Sequence, residues 1–147
     1  LDVKPDNIYV SLDGSRYVLG DFGLVTRMDG ATKIREGDGR YLPLEMLNDN
    51  HSRLDKVDMF SLGATMLELS GVEPLPKEGA AYQAIRRGKP PLPQRFAAVC
   101  PLIRSIKALL SESPEDRPSA DSICRGTVGR SGLGLLLQPS SLSRSKH

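Results

Sequence analysis

At 147 residues the chain is one domain or part of one, and 39% hydrophobic content excludes a disordered or fibrous polymer. A formal charge of +2 is close to balance, so electrostatics give no reason to expect a nucleic acid or a membrane surface as partner. Cys100 and Cys124 are too few for a disulfide framework, nothing resembles a signal peptide, and no apolar run is long enough to cross a bilayer, so the expected setting is the nucleus or the cytoplasm.

The chain opens on Leu1-Asp2-Val3-Lys4-Pro5-Asp6-Asn7. Ile8, Val10 and Leu12 then alternate with Tyr9 and Ser11, Asp13-Gly14 supplies turn chemistry, and Tyr17-Val18-Leu19 completes the pattern of a β-hairpin. Asp21-Phe22-Gly23 follows directly. Such a hairpin closes the gap in sequence between Asn7 and Asp21, so a carboxamide and a carboxylate oxygen stand at its two ends. Taken singly, Asp2 is also an ordinary turn residue, Asn7 an Asx cap and Asp21 a surface charge. From Asp21 to Glu45 the chain is polar, contains glycine and shows no period, which reads as a long ordered loop serving function rather than packing.

Helices dominate the rest. Ser52 with Asp55 three residues on has the form of a capping box, and from Asp55 to Ser70 the apolar residues Val57, Phe60, Met66, Leu67 and Leu69 spread around most of the circumference, the mark of a buried helix that Gly71 ends. A shorter helix is expected from Ala80 to Arg87, closed by Gly88. Lys89-Pro90-Pro91-Leu92-Pro93 must be extended, as a stiff connector or as a ligand for an aromatic groove. Leu102, Ile103, Ile106, Leu109 and Leu110 give a one-faced helix that stops near Ser113-Pro114, and Ser119 caps a last short helix carrying Ile123. From Gly126 to His147 the chain is rich in Gly, Ser and Leu, has basic but no acidic residues, and reads as a disordered tail.

Asp2 and Asn7 have the D-x-x-x-x-N spacing of a protein-kinase catalytic loop, and Asp21-Phe22-Gly23 stands where the metal-binding D-F-G belongs; residues 1–125 therefore resemble the C-terminal lobe of a eukaryotic protein kinase. The resemblance implies a mainly α fold with a small β-hairpin, an incomplete α+β kinase lobe. It implies ATP and Mg2+ as cofactors. Asp2 would orient and deprotonate the acceptor hydroxyl, Lys4 would approach the γ-phosphate as a point charge, and Asn7 and Asp21 would be hard oxygen ligands for magnesium. Asp58 matches the aspartate that holds the catalytic-loop backbone from the buried helix, with Gly63 at the expected D-x-x-x-x-G spacing. A lone buried aspartate needs hydrogen-bond partners, and loop amides are the natural ones. Glu45 ends a variant of A-P-E, and in the family it pairs with an arginine at the place of Arg117; two unrelated surface charges are the other reading.

Leu1 stands where most kinases carry the arginine that grips a phosphorylated activation loop, so this activation segment is expected to be ordered in another way. Together with the opening heptapeptide, Glu36-Gly37-Asp38-Gly39-Arg40-Tyr41, Glu73-Pro74-Leu75-Pro76 and Ile85-Arg86-Arg87-Gly88-Lys89 resemble the Wee family of mitotic inhibitor kinases. That resemblance implies a monomeric tyrosine kinase acting in the nucleus on a cyclin-dependent kinase. Lys4-Pro5 is of the Ser/Thr-kinase type, which keeps open a Myt-like dual-specificity enzyme or another Ser/Thr kinase. The Gly-rich loop, strand lysine and helix glutamate of a kinase N-lobe are not in the sequence. A shortened, non-catalytic module that binds kinase partners is a further class, and an unrelated adaptor a third. The 147 residues alone are expected to be catalytically inactive and poorly stable, because the helix that packs on the buried one is missing and its apolar contacts are worth on the order of 10 kcal/mol.

Overall fold

A computed structural model of the chain describes residues 1–29, 33–71, 74–92 and 100–126. Among these residues the chain is mainly helical, with one two-stranded sheet. Strands β1 (Ile8–Val10) and β2 (Tyr17–Leu19) pair antiparallel with Ile8 opposite Leu19 and Val10 opposite Tyr17. Asp13 fixes the connecting turn. Its carboxylate accepts from the Ser11 and Ser15 hydroxyls and the Ser15 N–H, and those bonds hold its pKa down at about 2. Tyr9, Val10, Tyr17, Val18 and Leu19 remain exposed, so the hairpin positions its ends without contributing to the core.

Helix α1 (Leu44–Leu47) closes the long segment read as loop to Glu45. Helix α2 (Leu54–Leu69) is the axis of the fold. Phe60, Ala64 and Leu67 meet Tyr41, Leu75, Ile85, Ile103, Ile106 and Leu110 in the main core. The helix packs closely on α4 (Pro101–Leu109): a Cβ on Gly63 would lie 2.7 Å from the Leu109 Cβ and 3.1 Å from the Leu110 Cγ, so the two helices reach this spacing only with glycine there. The capping box is not formed. The residue preceding α2 is Arg53, whose guanidinium pairs with Asp55, while the Ser52 N–H turns back to the Asn50 side chain. Asp55 is drawn to the nearer cation, which leaves no carboxylate for the cap.

Helix α3 (Gly79–Arg86) ends at Gly88 in the left-handed conformation, φ +67°, which glycine adopts without strain. Lys89 to Leu92 follow without helix or strand; Pro93 lies outside the described residues, as do Glu73 and residues 127–147 of the expected tail. Helix α5 (Ala120–Cys124) is capped by the Ser119 hydroxyl, which accepts from the Ser122 N–H at 3.1 Å. Among the described residues no helix is long and apolar enough to cross a membrane.

Candidate active site

The site is built at the open end of the hairpin. Pro5 starts a short 3₁₀ helix, Pro5–Asn7, with the Asn7 N–H on the Lys4 carbonyl, and this turn points the Asn7 side chain back at Asp2. Asn7 is almost fully buried; its Nδ2 donates to the Asp2 carbonyl at 2.8 Å and to Asp2 Oδ2 at 3.0 Å. That choice leaves the amide oxygen as the only Asn7 atom able to ligate a cation. Lys4 Nζ lies 2.7 Å from Asp2 Oδ2. Burial by itself would raise the Asp2 pKa, but the Lys4 ammonium, the Asp38 N–H and Asn7 outweigh it and hold the carboxyl below its ordinary value. The hydrogen bond to Asp2 keeps Lys4 charged beyond the usual lysine range.

The other Asp2 oxygen is taken by the activation segment. The backbone N–H of Asp38 donates to Asp2 Oδ1 at 3.0 Å. Gly37 makes this possible: a Cβ there would stand 2.5 Å from the Leu1 carbonyl and 2.9 Å from Asp2 Cγ, and closer still to Asp2 Oδ1. Asp38 in turn accepts one hydrogen bond from Arg40 Nε, shared between its two oxygens at 3.1 Å each, and one at 2.6 Å from Nη2. Glu36 is exposed, with ligating atoms near those of Asp49 and His51. Tyr41 is in the core, its hydroxyl donating to Glu68 Oε2 at 2.5 Å and its carbonyl accepting from Ser61 Oγ at 2.9 Å. Leu1 and Ile34 pack against the buried cluster of Leu42, Met46, Leu54 and Val57, so the position that carries an arginine in most kinases here joins an apolar cluster with the activation segment.

Asp21 is brought to the same end of the hairpin because the Gly20 N–H bonds to the Asn7 carbonyl at 2.9 Å. It is a non-glycine residue in the left-handed conformation, φ 52°, with Oδ1 accepting from the Gly23 N–H as Phe22–Leu24 turn into a short 3₁₀ helix. Phe22 is largely exposed. Asp2 and Asp21 line one cleft of about 120 Å³ together with Leu19, Gly20, Phe22 and Asp58. An exposed carboxylate and an oriented amide oxygen at the two ends of one hairpin fit a hard divalent cation by donor chemistry.

Asp58 of α2 faces the loop: its Oδ1 is shielded and lies 3.5 Å from the Leu1 nitrogen, while its side chain, 47% exposed, lines the cleft. Thr65, also on α2, reaches the same loop, with Oγ1 donating to the Val3 carbonyl at 3.4 Å. Glu45 and Arg117 form a bidentate ion pair, Nη1 on Oε1 and Nη2 on Oε2 at 3.0 Å. Arg117 is 2% exposed, lies over the Phe60 ring, and donates to the carbonyls of Ser111, Glu112 and Lys56, so every face of the guanidinium is used.

Arg86 and Tyr82 of α3 are not among the candidate site residues that the sequence offers. Arg86 is 1% exposed, lies 3.4 Å over the Tyr82 ring, and donates to the carbonyls of Gly39 and Arg40. The basic run Ile85-Arg86-Arg87-Gly88-Lys89 contained the residue, but only packing distinguishes Arg86 from Arg87.

The family model described as protein kinase domain matches residues 1–127. A Wee1-like protein kinase of Oryza sativa subsp. japonica is 45% identical over 132 residues, covering 87% of this chain and 24% of that protein. One of Arabidopsis thaliana is 43% identical over 120 residues, 82% and 23%. Wee1-like protein kinase 2 of Homo sapiens is 38% identical over 157 residues, 91% and 27%. The chain spans about a quarter of the length of the curated relatives it matches.

Proposed function

The chain belongs to the protein kinase domain family, in its Wee-like branch, and from that premise we propose that the protein carrying it moves the ATP γ-phosphoryl group to a tyrosine of a cyclin-dependent kinase, acting in the nucleus to delay mitotic entry. The observation that carries the reading is the Asp2 carboxylate, bonded at once by Lys4, Asn7 and the Asp38 N–H on the wall of a cleft that Asp21 shares.

Phosphoryl transfer asks the protein for positioning and charge stabilisation more than for covalent chemistry. Asp2, held as an anion, orients the acceptor hydroxyl and takes its proton as the oxygen attacks phosphorus. Lys4, fixed against Asp2, places one positive charge beside the group in transfer. Asn7 through its amide oxygen and Asp21 through its carboxylate would hold magnesium, which neutralises charge on the transferring group when bound. Glu45–Arg117 ties α1 to the chain before α5 and so anchors the end of the activation segment. The nucleotide also needs a Gly-rich loop and a strand lysine, so the 147 residues alone hold half of its site and are inactive by themselves.

In the full-length protein, Asp2→Asn should lower phosphoryl transfer by about 10²-fold to 10⁴-fold while ATP still binds. Transfer at the unsubstituted rate by that variant would sink the assignment. Lys4-Pro5 favours a second reading, a Myt-like dual-specificity or Ser/Thr enzyme. Identifying the phosphorylated amino acid in a cyclin-dependent kinase substrate separates the two.

A further inference from the structure

Among the described residues Arg86 is a buried guanidinium with no ion pair, and its Nε has no hydrogen-bond partner. Burying a cation in this way is unfavourable, and an apolar side chain of similar volume would pack the same space at lower cost. What an apolar residue cannot supply is direction. Nη1 donates to the Tyr82 carbonyl of its own helix at 3.1 Å, and Nη2 reaches across 46 residues to the Arg40 carbonyl at 3.2 Å and to the neighbouring Gly39 carbonyl. The Tyr82 ring, stacked under the guanidinium, fixes the plane of the fork, and its hydroxyl donates to the same Gly39 carbonyl at 3.5 Å.

The peptide so held is one residue from Asp38, whose N–H bonds to Asp2. On its outer side Asp38, Gly39 and Arg40 face Lys77 and Tyr82 across an open cavity of about 350 Å³. Asp38 joins the two places, lining this cavity and donating its N–H to Asp2, so a polypeptide that presents a hydroxyl to Asp2 would extend toward the cavity. The geometry points to Arg86 as a positioning residue for the protein acceptor: by gripping the Gly39 and Arg40 carbonyls from α3 it fixes the wall against which the acceptor chain lies. This inference rests on the kinase reading above. Arg86 touches neither the cleft between Asp2 and Asp21 nor any candidate cation ligand, so its effect belongs to the protein substrate and not to the nucleotide.

The test is steady-state kinetics of the full-length protein with a protein acceptor, comparing the unsubstituted enzyme with Arg86→Met and Arg86→Lys. Arg86→Met is expected to raise the acceptor KM by about tenfold with the ATP KM within about twofold, and Arg86→Lys, which keeps the charge and one donor, to fall between. A loss of folded protein alone would lower kcat and leave both KM values where they were, and that outcome overturns the proposal. An unchanged acceptor KM in a folded variant overturns it as well. If Arg86→Met does not fold, Arg86→Lys and Tyr82→Phe make the same comparison. If the unsubstituted protein phosphorylates no protein, the kinase reading and this inference fall together; if it does and the KM values do not part, only this inference falls.

Discussion

The backbone N–H of Asp38 donates to Asp2 Oδ1 at 3.0 Å, joining residues 36 apart in sequence. Through that bond the activation segment is part of the site and not a cover over it, because the carboxylate that must face the acceptor is oriented by the loop itself. The contact exists only because residue 37 has no side chain.

Gly37→Ala is therefore expected to be far more damaging to activity than to folding. Its Cβ would overlap the Leu1 carbonyl and the Asp2 carboxylate, and relief by moving the loop breaks the Asp38–Asp2 bond. Strain of this kind costs about 1–3 kcal/mol, while kcat of the full-length protein should fall by more than about tenfold. Thermal unfolding and kcat measured on the same preparation check the difference; an unimpaired kcat would contradict it.

The Asp2–Lys4 pair sets a pH window. Asp2 has a folded-state pKa below its unfolded value, so its contribution to stability is present above about pH 4 and is lost as pH falls through the folded pKa. Lys4 is raised in the folded state, so its contribution is present below about pH 10 and is lost as pH climbs through the folded pKa. Between those limits the pair's contribution is flat. Asp2→Asn should remove the acid-side part, and the melting temperature of the variant should decline less steeply below about pH 4 than that of the parent.

Removing one member of the Glu45–Arg117 pair leaves the other charge buried. Arg117→Met should destabilise by about 3–5 kcal/mol, and Glu45→Gln by less because the amide still accepts from the guanidinium. Denaturant unfolding of the variants gives the comparison. Equal and small effects would mean that the pair is screened by water.

Leu1 in an apolar cluster with Ile34 and Leu42 offers no charge to a phosphate on the activation segment. Tyr41, 3% exposed and hydrogen-bonded to Glu68, is not open to a kinase. Activity of the full-length protein is accordingly expected to survive combined replacement of Thr26, Thr32 and Tyr41 by Ala, Ala and Phe, with a stability loss of about 1 kcal/mol from the tyrosine hydroxyl. Thr32 lies outside the described residues. Loss of activity without unfolding would show that a phosphate is needed after all.

What the sequence determined by itself was local: the hairpin from its alternation and Asp13-Gly14, the buried α2 from its all-round apolar surface, the Ser119 cap, and the candidate residues of the site from their fixed spacing. These depend on neighbours within a few positions, where turn chemistry and periodicity act. Tertiary structure decided the rest. Ser52 and Asp55 had the right spacing for a cap, yet Arg53 took the carboxylate. Asp58 sits on a helix read as apolar nearly all round, and only packing shows that its side chain lies half-exposed on the wall of the cleft. Gly37 against Asp2, Gly63 against Leu109 and Arg86 against the Gly39 carbonyl are all meetings of residues tens of positions apart. No pattern along the chain encodes such distances, because they follow from how closely packed elements approach, which is fixed only when the whole core closes.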